Sequence, residues 1–100
     1  MDVKITKEAA RTFVAVSGRL DTSSADSFRE KVSSLLEEDK PDIEVDCTDL
    51  EYTSSQGLRM FLIMQKGVSA KGGKLVLVNM QPQVKEVFDI TGFTNIIKIL

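Results

Sequence analysis

Three features of the chain predict a single α/β domain over residues 1–100, built on a mixed β-sheet of four to five strands with crossover α-helices packed on it. Its 100 residues suit one core and leave no room for a second. Apolar residues alternate in short β-branched stretches, and between those stretches they recur at helical spacing. Single turn residues (Gly18, Pro41, Gly73 and Gly92) mark the changes from one pattern to the other.

Val3 and Ile5 alternate with polar neighbours and predict a short first strand. Arg11 to Ser17 (RTFVAVS) is β-branched and aromatic, a second strand closed by Gly18. The polar turn around Lys7 and Glu8 makes the two antiparallel neighbours. A helix then starts at Asp21-Thr22-Ser23-Ser24, where Ser23 followed by Asp26 fits the capping pattern. Phe28, Val32, Leu35 and Leu36 form its apolar stripe, and it ends before Pro41. Asp42 to Cys47 (DIEVDC) alternates strictly, with Ile43, Val45 and Cys47 inward and the three acids on a wet face. Asp49 to Tyr52 reads as a turn. Gln56 to Ala70 is an unusually apolar helix, ended by Lys71-Gly72-Gly73. Lys74 to Asn79 is a strand, and Pro82 opens a helix that Gly92 stops. Ile96 to Leu100 is a last short strand.

Composition removes several functions. Net charge is -2 with no basic run, so capture of a nucleic-acid backbone is not expected. No apolar stretch is long enough to span a membrane. The single cysteine, Cys47, forms no internal disulfide, which fits a cytoplasmic protein with a buried structural thiol. The chain contains no histidine, which removes Ser-His and Cys-His catalysis and most zinc sites. Asp42, Glu44 and Asp46 are spaced along one strand face rather than converging, so no metal or cofactor is expected there. An enzyme using Ser55 as nucleophile would lack a base.

Thr53-Ser54-Ser55-Gln56-Gly57-Leu58 is the stretch on which a function can be built. Small hydroxylated residues stand where the first backbone N–H groups of a helix have no intrahelical partner. Either Ser54 or Ser55 serves as an N-cap worth around 1 kcal/mol, or the position accepts a phosphate, which the helix dipole favours. A phosphoserine there would add roughly two negative charges, and one serine can serve both ends. The helix beyond carries two largely apolar stripes, one with Leu58, Phe61, Leu62 and Gln65, the other with Met60, Ile63, Met64 and Gly67. The methionine stripe either packs on neighbouring helices or offers an adaptable surface to a partner.

Over its full length the chain resembles the STAS domain of bacterial anti-sigma-factor antagonists. The resemblance begins at Ser17-Gly18-Arg19-Leu20-Asp21, similar to the family's Gly-x-Leu-Asp, and continues through Asp46-Cys47-Thr48-Asp49-Leu50. Ser54-Ser55-Gln56-Gly57-Leu58-Arg59 looks like the family's Asp/Ser-Ser-x-Gly-Leu signature. Asn79, Gln81, Pro82, Val84 and Thr91-Gly92-Phe93 complete it. What the resemblance implies is a protein switch rather than an enzyme. The serine two places before the signature glycine, here Ser55, would be phosphorylated by an anti-sigma factor with a histidine-kinase-like ATPase fold. The unphosphorylated form would bind that partner and free a sigma factor, and a PP2C-type phosphatase would restore it. The partner-binding set implied is Asp21, Thr22, Ser54, Ser55, Gln56, Gly57, Leu58, Met60 and Met64. Ser54 stands where several relatives have aspartate, and Gln56 where they have a smaller residue. An alternative within the same family is an accessory or scaffold subunit, such as that of a lipid-transport ATPase.

Overall fold

The computed structural model covers residues 1–100. In chain order it forms β1 (Asp2–Glu8), β2 (Arg11–Leu20), α1 (Thr22–Leu36), β3 (Asp42–Thr53) and α2 (Ser55–Ala70). These are followed by β4 (Lys74–Val78), α3 (Pro82–Ile90), a 3₁₀ turn (Phe93–Asn95) and β5 (Lys98–Ile99). The five strands lie side by side in that same order. β1 is antiparallel to β2, and every later pair is parallel. Each parallel step needs a crossover, and one helix supplies each. All three steps run the same way across the sheet, so right-handed connections put α1, α2 and α3 on one face.

Strand alternation follows from that one-sided cover. Val14 and Val16 of β2, Ile43, Val45 and Cys47 of β3, and Leu75 and Leu77 of β4 are buried in the core cluster. The intervening Phe13, Asp42, Glu44 and Asp46 are half-buried, and Ala15 is exposed. On this helix-free side the Arg11 guanidinium lies 3.4 Å from Asp42 and 3.6 Å from Glu44. Above the core side an aromatic row crosses all three helices. Phe28 of α1 meets Phe61 of α2 at 5.7 Å between ring centroids, Phe61 meets Phe88 of α3 at 5.6 Å, and Phe88 meets Phe93 at 6.4 Å. Such contacts add about 0.5–1.5 kcal/mol each beyond their buried area. They also identify α2 as the middle helix, flanked on both sides.

The expected order of elements is observed, and five local readings change. The turn expected around Lys7 and Glu8 falls at Ala9 and Ala10, because Lys7 and Glu8 pair with Thr12 and Arg11 and Ala9 takes the positive φ (52°) that reverses the chain. β3 does not end at Cys47 in a turn; it runs on to Thr53. Its pairing with β2 slips twice, between Ala15 and Ser17 and between Gly18 and Arg19, each time placing one extra residue on β3. Beyond Cys47 the buried positions, Leu50 and Thr53, therefore come every third residue, and strict alternation ends before the strand does. β2 likewise passes through Gly18, whose φ of +91° an L side chain rarely adopts, and ends at Leu20. The cap of α1 is Asp21 rather than Ser23. Leaving the sheet at Leu20, the chain reaches Asp21 in extended conformation, and its carboxylate accepts from the Ser23 and Ser24 N–H groups, both at 3.1 Å. Ser24 Oγ returns the bond by accepting from Asp21 N–H at 3.0 Å, so the box closes on Ser24 and Asp26 has no part in it. The last strand is only Lys98–Ile99, because a 3₁₀ turn occupies Phe93–Asn95.

Cys47 is fully buried on the core side. Burial, with the neighbouring Asp46 carboxylate adding to it, pushes its thiol up to about 12, so at neutral pH it is a small apolar filler.

Candidate functional site

Two helices begin side by side at the carboxyl end of the sheet, and Leu20 joins their starts. Its peptide leads directly into Asp21, the cap of α1, while its carbonyl accepts from Ser54 N–H at 2.9 Å. Ser54 is extended (φ -87°, ψ 176°) and caps α2, its Oγ accepting from Gly57 N–H at 3.2 Å. Its carbonyl accepts from Leu58 N–H at 3.0 Å, the first helical bond. The choice of cap left open by the residue pattern therefore falls on Ser54. Ser55, the first residue of α2, is exposed, and its hydroxyl makes no hydrogen bond to another side chain or to the backbone.

Gly57 sets how closely α2 approaches the strands. A methyl group there would stand 2.3 Å from Thr53 Oγ1 and 2.8 Å from both Leu20 Cγ and the Leu20 carbonyl oxygen. Only a residue without Cβ lets the first turn of α2 rest on the ends of β2 and β3. Thr53 is buried beneath it, and Leu20 is fully buried. The backbone carrying Ser55 is thus fixed from below, while its side chain is left free.

Asp21 is half-exposed beside this junction. The Ser23 hydroxyl, donating at 2.7 Å, and the Ser24 N–H hold its carboxyl below the usual aspartate range. Thr22 and Gln56 are exposed and Ser54 is half-buried. These five residues, with Ser55 among them, share one surface.

The remaining members of the expected partner-binding set do not reach it. Gly57 and Leu58 are buried, and Met60 and Met64 are 5% and 0% exposed, inside the core cluster. As the middle helix, α2 must bury a flank against α1 and another toward α3 as well as its base on the sheet, so the methionine stripe is consumed by packing. Its solvent-facing stripe consists instead of Ser55, Gln56, Arg59 and Lys66, with Leu62 and Ile63 half-buried. Arg59 and Lys66 stand at helical spacing from Ser55, and as charged residues they belong to neither apolar stripe of the helix. Tyr52, at the end of the segment expected as a turn, is 40% exposed, and the Arg19 guanidinium lies 4.1 Å from its ring centroid. Arg19 and Tyr52 are direct neighbours across β2 and β3, just below the two caps.

The three acids that alternate at the start of β3, Asp42, Glu44 and Asp46, are each held by their own surroundings. Arg11 lies against Asp42 and Glu44. Asp46 accepts from Thr48 Oγ1 at 2.6 Å, Thr48 N–H at 3.0 Å and Asn79 Nδ2 at 3.3 Å, which keeps its carboxyl below the usual range. The largest groove, about 540 Å³, lies elsewhere, between Arg11, Lys74, Lys98 and Leu100, and no junction residue borders it. What the junction offers is a surface with two exposed hydroxyls that make no hydrogen bond, Thr22 and Ser55, and of these only Ser55 stands on the first turn of α2 above Gly57. No helix is long and apolar enough to cross a membrane.

The STAS domain family model matches residues 1–100. An anti-sigma-B factor antagonist of Bacillus subtilis is 37% identical over 86 residues, covering 86% of this chain and 78% of that protein. The anti-sigma factor antagonist SpoIIAA in its unphosphorylated form superposes with a TM-score of 0.83 at 20% identity, over 99% of this chain and 88% of that one. The phosphorylated form of SpoIIAA, a Bacillus cell fate determinant, superposes at 0.75 with 19% identity, over 99% and 91% of the two chains.

Proposed function

This chain belongs to the STAS domain family, and from that premise we propose that it is an anti-sigma factor antagonist switched by phosphorylation of Ser55. Unmodified, it binds an anti-sigma factor and so releases a sigma factor. Phosphorylated, it lets go. The observation that carries this reading is the division of labour between the two serines. Ser54 takes the cap, leaving the Ser55 hydroxyl exposed and uncommitted on a backbone held by Gly57, Thr53 and Leu20. SpoIIAA, of the same fold, has been solved with and without phosphate, so the fold admits the modification.

The partner is an anti-sigma factor with a histidine-kinase-like ATPase fold, which uses ATP as the phosphoryl donor. Ser55 Oγ attacks the γ-phosphorus, the bond from that phosphorus to the ADP oxygen breaks, and the hydroxyl proton passes to a base on the partner. A PP2C-type phosphatase transfers the phosphoryl group to water and restores the serine. The contact surface is Asp21, Thr22, Ser54, Ser55 and Gln56, extended by the outward stripe of α2. A dianion placed within such a contact, desolvated and unpaired, costs several kcal/mol. A tenfold loss of affinity needs only about 1.4 kcal/mol. The work is regulatory rather than enzymatic, and its setting is the cytoplasm.

The test is mass spectrometry of the chain after incubation with ATP and each purified anti-sigma factor of the source organism. Phosphate on Ser55, absent from Ser55→Ala, is the expected result, with Ser55→Asp folded and binding at least about tenfold more weakly. Label that persists in Ser55→Ala, or unchanged affinity of Ser55→Asp, rejects the switch.

A further inference from the structure

We infer that Arg59 becomes the internal counter-ion of Ser55 when that serine carries a phosphate, so that the switch withdraws an arginine from the surface as well as adding charge. The inference rests on the proposed phosphorylation of Ser55 and concerns what the modification does to this chain.

Ser55 and Arg59 lie four residues apart on the unbroken helix α2, and both are exposed. At that spacing the two side chains are neighbours, one turn above the other. The order suits the pair: helical side chains lean toward the N-terminus, so the long arginine reaches back over the residue four before it. The Arg59 guanidinium has no carboxylate partner, since the ion pairs of the chain join Lys7 to Glu38, Arg11 to Asp42 and Glu44, and Lys85 to Asp89. Ser55 is equally uncommitted. Other cations are less well placed. Lys66 is eleven residues along the same helix, roughly 16 Å from Ser55 at 1.5 Å per residue. Arg19 is stacked on Tyr52.

A guanidinium offers paired N–H donors that match two phosphate oxygens, which a single ammonium does not. In the unmodified chain Arg59 is free to meet a partner along the outward stripe of α2. In the phosphorylated chain the phosphate captures it. The surface at the start of α2 then changes from cationic to anionic in one step, and a partner that had used the arginine loses that contact too.

The experiment needs neither kinase nor partner. Phosphoserine is incorporated at position 55 during translation with a dedicated suppressor tRNA, in the parent, in Arg59→Gln and in Arg59→Lys. Thermal midpoints are measured with and without the phosphate, and the Arg59 Nε–H resonance is followed by NMR. Any benefit the phosphate draws from the helix end is common to all three backgrounds and cancels in the comparison. The phosphate is expected to raise the midpoint by about 3 °C more in the parent than in Arg59→Gln, with Arg59→Lys recovering part of the difference and the Nε–H resonance of the parent shifting. Equal midpoint changes in the parent and Arg59→Gln, or an Nε–H resonance that does not move, overturn the inference. Either result leaves the proposed function standing. Conversely, failure of every anti-sigma factor to modify Ser55 removes that function without altering this measurement.

Discussion

Replacing Gly57 by alanine would place a methyl carbon 2.3 Å from Thr53 Oγ1 and 2.8 Å from the Leu20 carbonyl oxygen. Thr53 could rotate its hydroxyl away, but the Leu20 carbonyl cannot follow, because it accepts from Ser54 N–H and belongs to the strand end that starts α1. Forcing an extra carbon into a packed contact costs about 1–3 kcal/mol, and the fixed carbonyl argues for the upper part of that range. Alanine regains up to about 1 kcal/mol over glycine inside a helix. The net loss is therefore about 2 kcal/mol, a fall of roughly 10 °C in thermal midpoint for a domain of this size. Gly67→Ala is the internal control. Its added carbon would lie 3.4 Å from Leu36 Cδ1, a flexible side-chain end, so helix propensity dominates and stability holds or rises. Circular dichroism melts of both variants, with denaturant titrations, measure the difference. Gly57→Ala melting at or above the parent would refute the claim that close approach of α2 positions Ser55.

Ser54→Ala removes the cap of α2 and is expected to cost about 1 kcal/mol, whereas Ser55→Ala, whose hydroxyl bonds to nothing, stays within about 0.5 kcal/mol of the parent; denaturant titration separates the two, and equal losses would contradict the assignment of the cap. Met64→Ala should lose about 2–5 kcal/mol of stability, as a buried core truncation does, while a surface role would leave the melt unchanged. Asp46→Asn tests the polar network at the end of β3. The folded-state pKa of Asp46 lies below its unfolded value, so its carboxylate contributes stability that is full above about pH 4 and lost as pH falls through the lower folded value. The variant should accordingly be less stable than the parent at pH 7, with the gap narrowing in acid; a gap independent of pH in urea titrations at pH 7 and pH 3 would exclude the charged form as the cause.

Alternation and turn residues were enough to read the order of strands and helices, because each element has a wet side and a buried side of its own. Reading failed where pairing geometry overrides that rule. After Cys47 the two extra residues of β3 change the spacing of buried side chains, and nothing in Thr48-Asp49-Leu50-Glu51-Tyr52 taken alone announces it. The start of α1 was misplaced by two residues because Ser23 and Asp21 are both acceptable caps; where β2 ends decides between them. At the site, Ser55 and its neighbours were legible from their position ahead of an apolar helix. For Met60 and Met64 the residue pattern leaves packing and partner surface both open, because a stripe of methionines looks the same whether solvent or another helix lies beyond it. The flanking of α2 by Phe28 and Phe88 is a fact of tertiary packing. Arg59 carries no signal of its own for the opposite reason, being an ordinary exposed charge until the residue one turn before it acquires a role.

The two margins of the sheet bear on how this chain can be gripped. β5 pairs with β4 at Lys98 and Ile99, with one more bond from Leu100 N–H to the Leu77 carbonyl, and β1 carries Asp2, Lys4, Lys7 and Glu8 among its seven residues. A margin that is either very short or studded with charge is a poor template for strand addition. Neither side therefore invites another polypeptide to extend the sheet by main-chain hydrogen bonding, the route by which many small domains capture peptides or self-associate. Recognition is left to side chains around the helix starts, where a single covalent change can be felt. A sheet that admitted further strands would hold its partner by backbone contacts that a phosphate on Ser55 could not reach.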